Sequence, residues 1–101
     1  MASEDLAWSI THSGLVTDWT LDTVALWLTE FVGLGEYAEA FKYNEISGDI
    51  LVHLDHDTLK EIGLQSLGHR LILLKAVYNL KIAHDVPIEE GQWRPLGKPP
   101  L

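Results

Sequence analysis

His53, Asp55, His56 and Asp57 fall within five consecutive residues, and imidazole and carboxylate are the groups that hold divalent metals or move protons. Four such side chains on one short turn cannot all converge on one ion, and Asp55 is placed to cap a helix instead. No metal site is expected there. The chain has no Cys, which removes thiolate nucleophiles, Cys-based zinc sites and disulfides. It has neither a Ser-His-Asp arrangement nor a Gly-rich phosphate loop, so its polar residues do not read as catalytic machinery. What they can do is dock. Residues 36–61 carry seven acidic side chains, Glu36, Glu39, Glu45, Asp49, Asp55, Asp57 and Glu61, against Lys42 and Lys60. Residues 67–84 carry Arg70, Lys75 and Lys81 and no acid. Two unlike patches permit a contact between unlike surfaces, which joins different chains or repeats as an open filament. Charge pairs across such a contact steer association and set specificity more than they add affinity.

The elements that position these groups are helical. With 101 residues, 47% hydrophobic, the chain is long enough for one core. Its net charge of −8 disfavours nucleic-acid or anionic-membrane binding. No apolar run approaches the roughly 20 residues that span a bilayer. The first residues, Met1-Ala2-Ser3-Glu4-Asp5, lack a signal peptide's basic start, so a cytoplasmic location is expected. Residues 1–18 show no period and read as a partly ordered lead-in, with Trp8 or Leu15 as contacts to the domain.

Thr20 is a good cap for a first helix, and Asp22 suits the positive end of its dipole. Val24, Trp27, Leu28 and Phe31 then repeat at i, i+3, i+4, i+7, and Gly33 can end the helix at positive φ. The spacing predicts a second helix over 35–43, with Leu34, Tyr37, Ala40 and Phe41 inward and Glu36, Glu39 and Lys42 in water. Ile46 anchors a turn over 44–48. Residues 49–53 form one helical turn held by Leu51, and Asp55 caps a helix that Gly63 stops. Ser66 caps the last and longest helix, from Leu67 to about His84, with Leu67, Leu71, Leu74 and Tyr78 expected on its inner face and Ile72, Leu73, Ala76, Val77 and Leu80 widening it until most of the circumference is apolar. Its first turns keep His69, Arg70 and Lys75. Residues 85–101, with four Pro, read as an extended tail or linker in which Trp93 is the one candidate anchor. The expected fold is all-α, five helices with a long C-terminal one over residues 19–84.

The ordered run Trp19-Thr20, Val24, Trp27-Leu28, Gly33-Leu34, Tyr37, Phe41, Asn44-Glu45-Ile46, Gly48, Leu51, Leu54, Leu59-Lys60-Glu61-Ile62-Gly63-Leu64, Leu67-Gly68-His69-Arg70, Ile72-Leu73 and Leu80 resembles a sterile alpha motif (SAM) domain. Residues 54–60, 76–81 and 85–89 are similar to those of fungal adaptors of mitogen-activated protein kinase cascades, which carry a Ras-association domain downstream. The chain then looks like an N-terminal fragment.

The resemblance implies a non-enzymatic protein-interaction module without cofactor, metal or small-molecule substrate. Many such domains pair head to tail. Carried over, the end-helix face would be Leu67, Gly68, His69, Arg70 and Lys75. The mid-loop face would draw on Glu45, Asp49, Leu51, His53, Asp55, Asp57 and Glu61. The expected partner is the SAM domain of a mitogen-activated protein kinase kinase kinase. Head-to-tail self-association is the alternative, and binding to an RNA hairpin through Arg70, Lys75 and Lys81 ranks below it. On this reading Arg70 is an exposed interface cation that can be reversed without loss of stability, while Glu36 and Glu39 merely face water.

Overall fold

Thr20 opens the first helix by accepting a hydrogen bond from the Thr23 backbone N–H at 3.2 Å. A computed structural model describes residues 14–95; Trp8, expected as a contact, lies outside them, as do residues 96–101. Helix α1 spans residues 21–32, regular over Leu21–Trp27 and widened to a π-helical turn over Leu28–Val32. Val24, Trp27 and Leu28 are buried as their spacing requires, but Phe31 is 44% exposed. The wide turn explains the difference, because i→i+5 bonding rotates later residues off a stripe drawn at 3.6 per turn. Gly33, at φ 80°, closes the helix.

Helix α2 covers residues 35–43, a 3-10 turn over Gly35–Tyr37 running into Ala38–Tyr43. Leu34 and Phe41 are buried, while Glu36, Glu39 and Lys42 face water. Ile46 anchors the next turn, and α3, Gly48–Leu51, is a single turn pinned by the fully buried Leu51. Helix α4, His56–Ile62, stops at Gly63, whose φ is 122°. Helix α5, Leu67–Ala83, is the longest. Five α-helices, preceded by a 3-10 turn over Val16–Asp18, and no strand occur among the described residues, so the fold is an all-α bundle.

The inner face of α5 includes the expected Leu73, Leu74 and Val77 but differs from the expected one in the rest. Arg70, Leu73, Leu74, Val77 and Lys81 are buried, whereas Leu67 and Leu71 are 57% and 41% exposed. The buried set follows i, i+3, i+4, i+7, i+11. Two of its places are held by cations whose apolar stems cover core surface. A stripe drawn through apolar residues alone therefore lands about one residue away.

Both chain directions close on this core. Val16 is fully buried, and its N–H donates to His84 Nδ1 at 3.1 Å. Leu15 is 57% exposed. Past α5, the Val86 N–H returns to the Lys81 carbonyl at 2.8 Å, and Val86 and Trp93 pack against the core. The Trp93 ring meets Tyr78 edge-on at 6.4 Å.

Candidate functional site

The start of α5 is built by its cap. Ser66 Oγ accepts from the His69 N–H at 3.1 Å. The His69 ring stands edge-on to Tyr37 at 5.5 Å, with its Nδ1 2.5 Å from the phenolic oxygen, and so ties α2 to this end of α5. Gly68 is open: a Cβ there would meet nothing closer than Ser66 Oγ at 3.7 Å. Lys75 is exposed.

Arg70 departs from the expectation of an exposed interface cation. It is 7% exposed and points inward. Long side chains on a helix lean toward its N-terminus, which carries the guanidinium back over the α4–α5 loop. Nη1 donates to the Leu64 and Gln65 carbonyls at 2.9 and 3.0 Å, and Nε donates to His56 Nδ1 at 3.1 Å. Lys81 is also buried, at 4% exposure, with Nζ donating to Gln92 Oε1 at 2.7 Å. Desolvation holds its pKa below the ordinary lysine value. Of the three cations on α5, only Lys75 remains at the surface. Leu67, Leu71 and Ile72 are exposed there instead, so the end-helix surface is more apolar than basic.

The carboxylates behave as expected of surface groups. Glu45, Asp49, Asp55, Asp57 and Glu61 are all exposed. Glu45 holds φ 56°, a turn conformation that non-glycine residues adopt sparingly. Asp49 accepts a short hydrogen bond from the Ser47 hydroxyl, which is the main reason its carboxyl lies below the usual range. Asp55 accepts from the Thr58 N–H at 2.9 Å while Thr58 Oγ1 accepts from the Asp55 N–H, a reciprocal cap. The Thr58 N–H is the largest of the contacts that lower the Asp55 pKa. Leu51 is the exception among the expected mid-loop residues. It is wholly buried, so it shapes the turn from beneath and offers no side chain to a partner.

His53, Asp55, His56 and Asp57 are not drawn to a common point. His53 Nδ1 faces Gln92 Nε2 at 3.4 Å, Asp55 caps α4, and His56 receives Arg70. No group of three or more His, Asp or Glu that could share a metal occurs among the described residues. An apolar groove of about 600 Å³, lined by Trp19, Trp27, Phe31 and Leu80 among others, shares no residue with either surface. Two exposed residues beside the carboxylates carry no signal in the sequence: Tyr43, 87% exposed, and Ile50, 43% exposed. Ile50 is adjacent to the buried Leu51 in a single helical turn, and no periodicity over four residues says which of the two turns outward.

A family model described as SAM domain (sterile alpha motif) matches residues 16–81. The mitogen-activated protein kinase adapter protein MST50 of Pyricularia oryzae is 44% identical over 82 residues, 81% of this chain and 17% of that protein. Protein pob1 of Schizosaccharomyces pombe is 37% identical over 75 residues, 74% of this chain and 8% of pob1. The mitogen-activated protein kinase kinase kinase MST11 of Pyricularia oryzae is 36% identical over 63 residues, 62% of this chain and 7% of that protein. The chain thus spans less than a fifth of the length of each of these relatives. No helix among the described residues is long and apolar enough to cross a membrane.

Proposed function

The chain belongs to the sterile alpha motif family, and we propose that it is the docking module of a signalling adaptor that binds the SAM domain of a mitogen-activated protein kinase kinase kinase. The module is non-enzymatic and works in the cytoplasm without cofactor. By tethering the kinase it raises effective concentration near an activator instead of changing any bond. The relatives support this choice of partner. One matching protein is named as a mitogen-activated protein kinase adapter protein and another as a mitogen-activated protein kinase kinase kinase, and both carry a segment similar to this chain.

The observation that carries the reading is the imbalance of exposed charge. Glu45, Asp49, Asp55, Asp57 and Glu61 are in water, whereas Arg70 and Lys81 are turned inward. The acidic residues therefore form a surface that suits a cationic partner, and this chain's own α5 offers them Lys75 alone. That favours docking onto a different chain over head-to-tail self-association. It also weakens the RNA alternative, because two of the three cations named for it cannot reach phosphate.

Sedimentation tests the choice. The chain alone is expected to remain a monomer at concentrations of about 100 μM, above the micromolar range of ordinary weak association. Mixed with the MST11 segment that aligns with it, it is expected to form a complex that weakens as salt is added. Polymers of the chain alone, with no MST11 complex, would reverse the assignment.

A further inference from the structure

The residue between Asp55 and Asp57 has an inward task. His56 is half-buried, and its Nδ1 accepts from Arg70 Nε at 3.1 Å. An imidazole nitrogen accepts only while it carries no proton. The observed contact therefore fixes His56 as the neutral tautomer with its proton on Nε2. Arg70 in turn holds the Leu64 and Gln65 carbonyls, the two residues that lead into the cap of α5. One guanidinium thus joins the first turn of α4 to the loop and the first turn of α5.

We propose that His56 is the positioning residue for Arg70, and through it for the α4–α5 loop and the start of α5, so that a proton taken up by His56 loosens this part of both docking surfaces. The groups that face the ring decide the sign. From α5 it meets the Arg70 guanidinium. On its own segment the charged groups nearest in sequence are the exposed carboxylates Asp55 and Asp57 and, one turn on, the exposed Lys60. Protonation at Nδ1 removes the acceptor and sets an imidazolium against a guanidinium, while Asp55 is already engaged by Thr58. The consequence for docking rests on the function proposed above, whereas the positioning itself does not.

Nitrogen NMR of the intact chain reads the ring directly and needs no variant. At neutral pH His56 is expected as the Nε2–H tautomer with an unprotonated Nδ1, as the Arg70 contact requires. As His56 titrates, the amides of residues 64–69 are expected to shift with it. His56→Gln, which can accept but does not ionise, is expected to remove that coupled titration. A ring protonated on Nδ1 at neutral pH overturns the proposal, as do amides of residues 64–69 that titrate identically in H56Q. Affinity for the aligned MST11 segment is expected to fall about tenfold between pH 7.5 and 5.5 in the native chain and less than about twofold in H56Q. Equal losses in the two proteins overturn the consequence for docking. If neither binds at neutral pH, the docking function fails while the ring spectra still decide the positioning.

Discussion

Arg70 carries its charge into the protein because three acceptors converge on it: the carbonyls of Leu64 and Gln65 and the Nδ1 of His56. Charge reversal there therefore acts on the fold first. Arg70→Glu is expected to cost about 3 kcal/mol or more, because it strands those acceptors and buries an unpaired carboxylate. Thermal unfolding checks this, and an unchanged melting temperature would return Arg70 to the surface. The sequence alone points the other way, and for a sound reason: a cation in the first turn opposes the helix dipole, so it needs compensation. Nothing in the linear order of residues says that the compensation lies inside the molecule and not in a partner. Asp55 is the case where residue chemistry was fully legible, since a cap depends only on neighbours in sequence. Its pKa is lowered from 3.8 in the folded state. Its stabilisation is therefore present above the ordinary carboxylate value and is lost as pH falls through the lowered one. Asp55→Ala is expected to cost about 1 kcal/mol at neutral pH. The gap in melting temperature between it and the native chain should narrow below about pH 4. A gap that does not change with pH would place the Asp55 effect outside its charge.

Helix ends, like that cap, were readable because each depends on a few adjacent residues: Thr20, Gly33, Asp55, Gly63 and Ser66 all act where their chemistry suggested. Helix faces were less so. On α5 most of the circumference is apolar, and several stripes fit equally well until the buried stems of Arg70 and Lys81 settle which one turns inward. The two faces separate by mutation. Leu74→Ala, at a site 2% exposed, is expected to cost about 2–5 kcal/mol. Leu71→Ala, at a site 41% exposed, is expected to cost under about 1 kcal/mol. Denaturant midpoints measure both, and equal losses would contradict the observed face. Gly48 is a further element-level constraint that no local pattern announces. A Cβ at this position would stand 1.8 Å from the Val16 carbonyl oxygen and 2.9 Å from Trp19 Cβ. The start of α3 thus packs directly on backbone some thirty positions earlier in the chain, where the Gly48 N–H donates to the Trp19 carbonyl at 2.9 Å. Gly48→Ala is expected to lower the melting temperature well beyond the cost of an ordinary surface change, whereas Gly68→Ala, in open space, is expected to leave it unchanged.

Across the molecule, charge and fold divide the work. Seven acidic side chains over residues 36–61 are solvated and leave the core to apolar groups. The cations of α5, apart from Lys75, serve as internal ties. Net charge and its uneven spread along the chain were plain in the sequence. Which charges reach solvent was not, because that depends on the loop that Arg70 folds over and on the segment after α5 that covers Lys81. The segment itself shows why linear composition misleads: its Pro and Gly argue against a helix but not against packing, and Trp93, Val86 and Gln92 supply the contacts. On the function proposed above, the partner is one that brings a cationic surface to these carboxylates. The decisive measurement is the affinity of the MST11 segment for two charge-reversed chains of unchanged melting temperature, one carrying Glu45→Lys with Asp49→Lys and the other Lys75→Glu. The first is expected to bind at least about tenfold more weakly than the native chain and the second within about threefold of it. The reverse order would place the docking surface on α5 and contradict the role assigned here to the carboxylates.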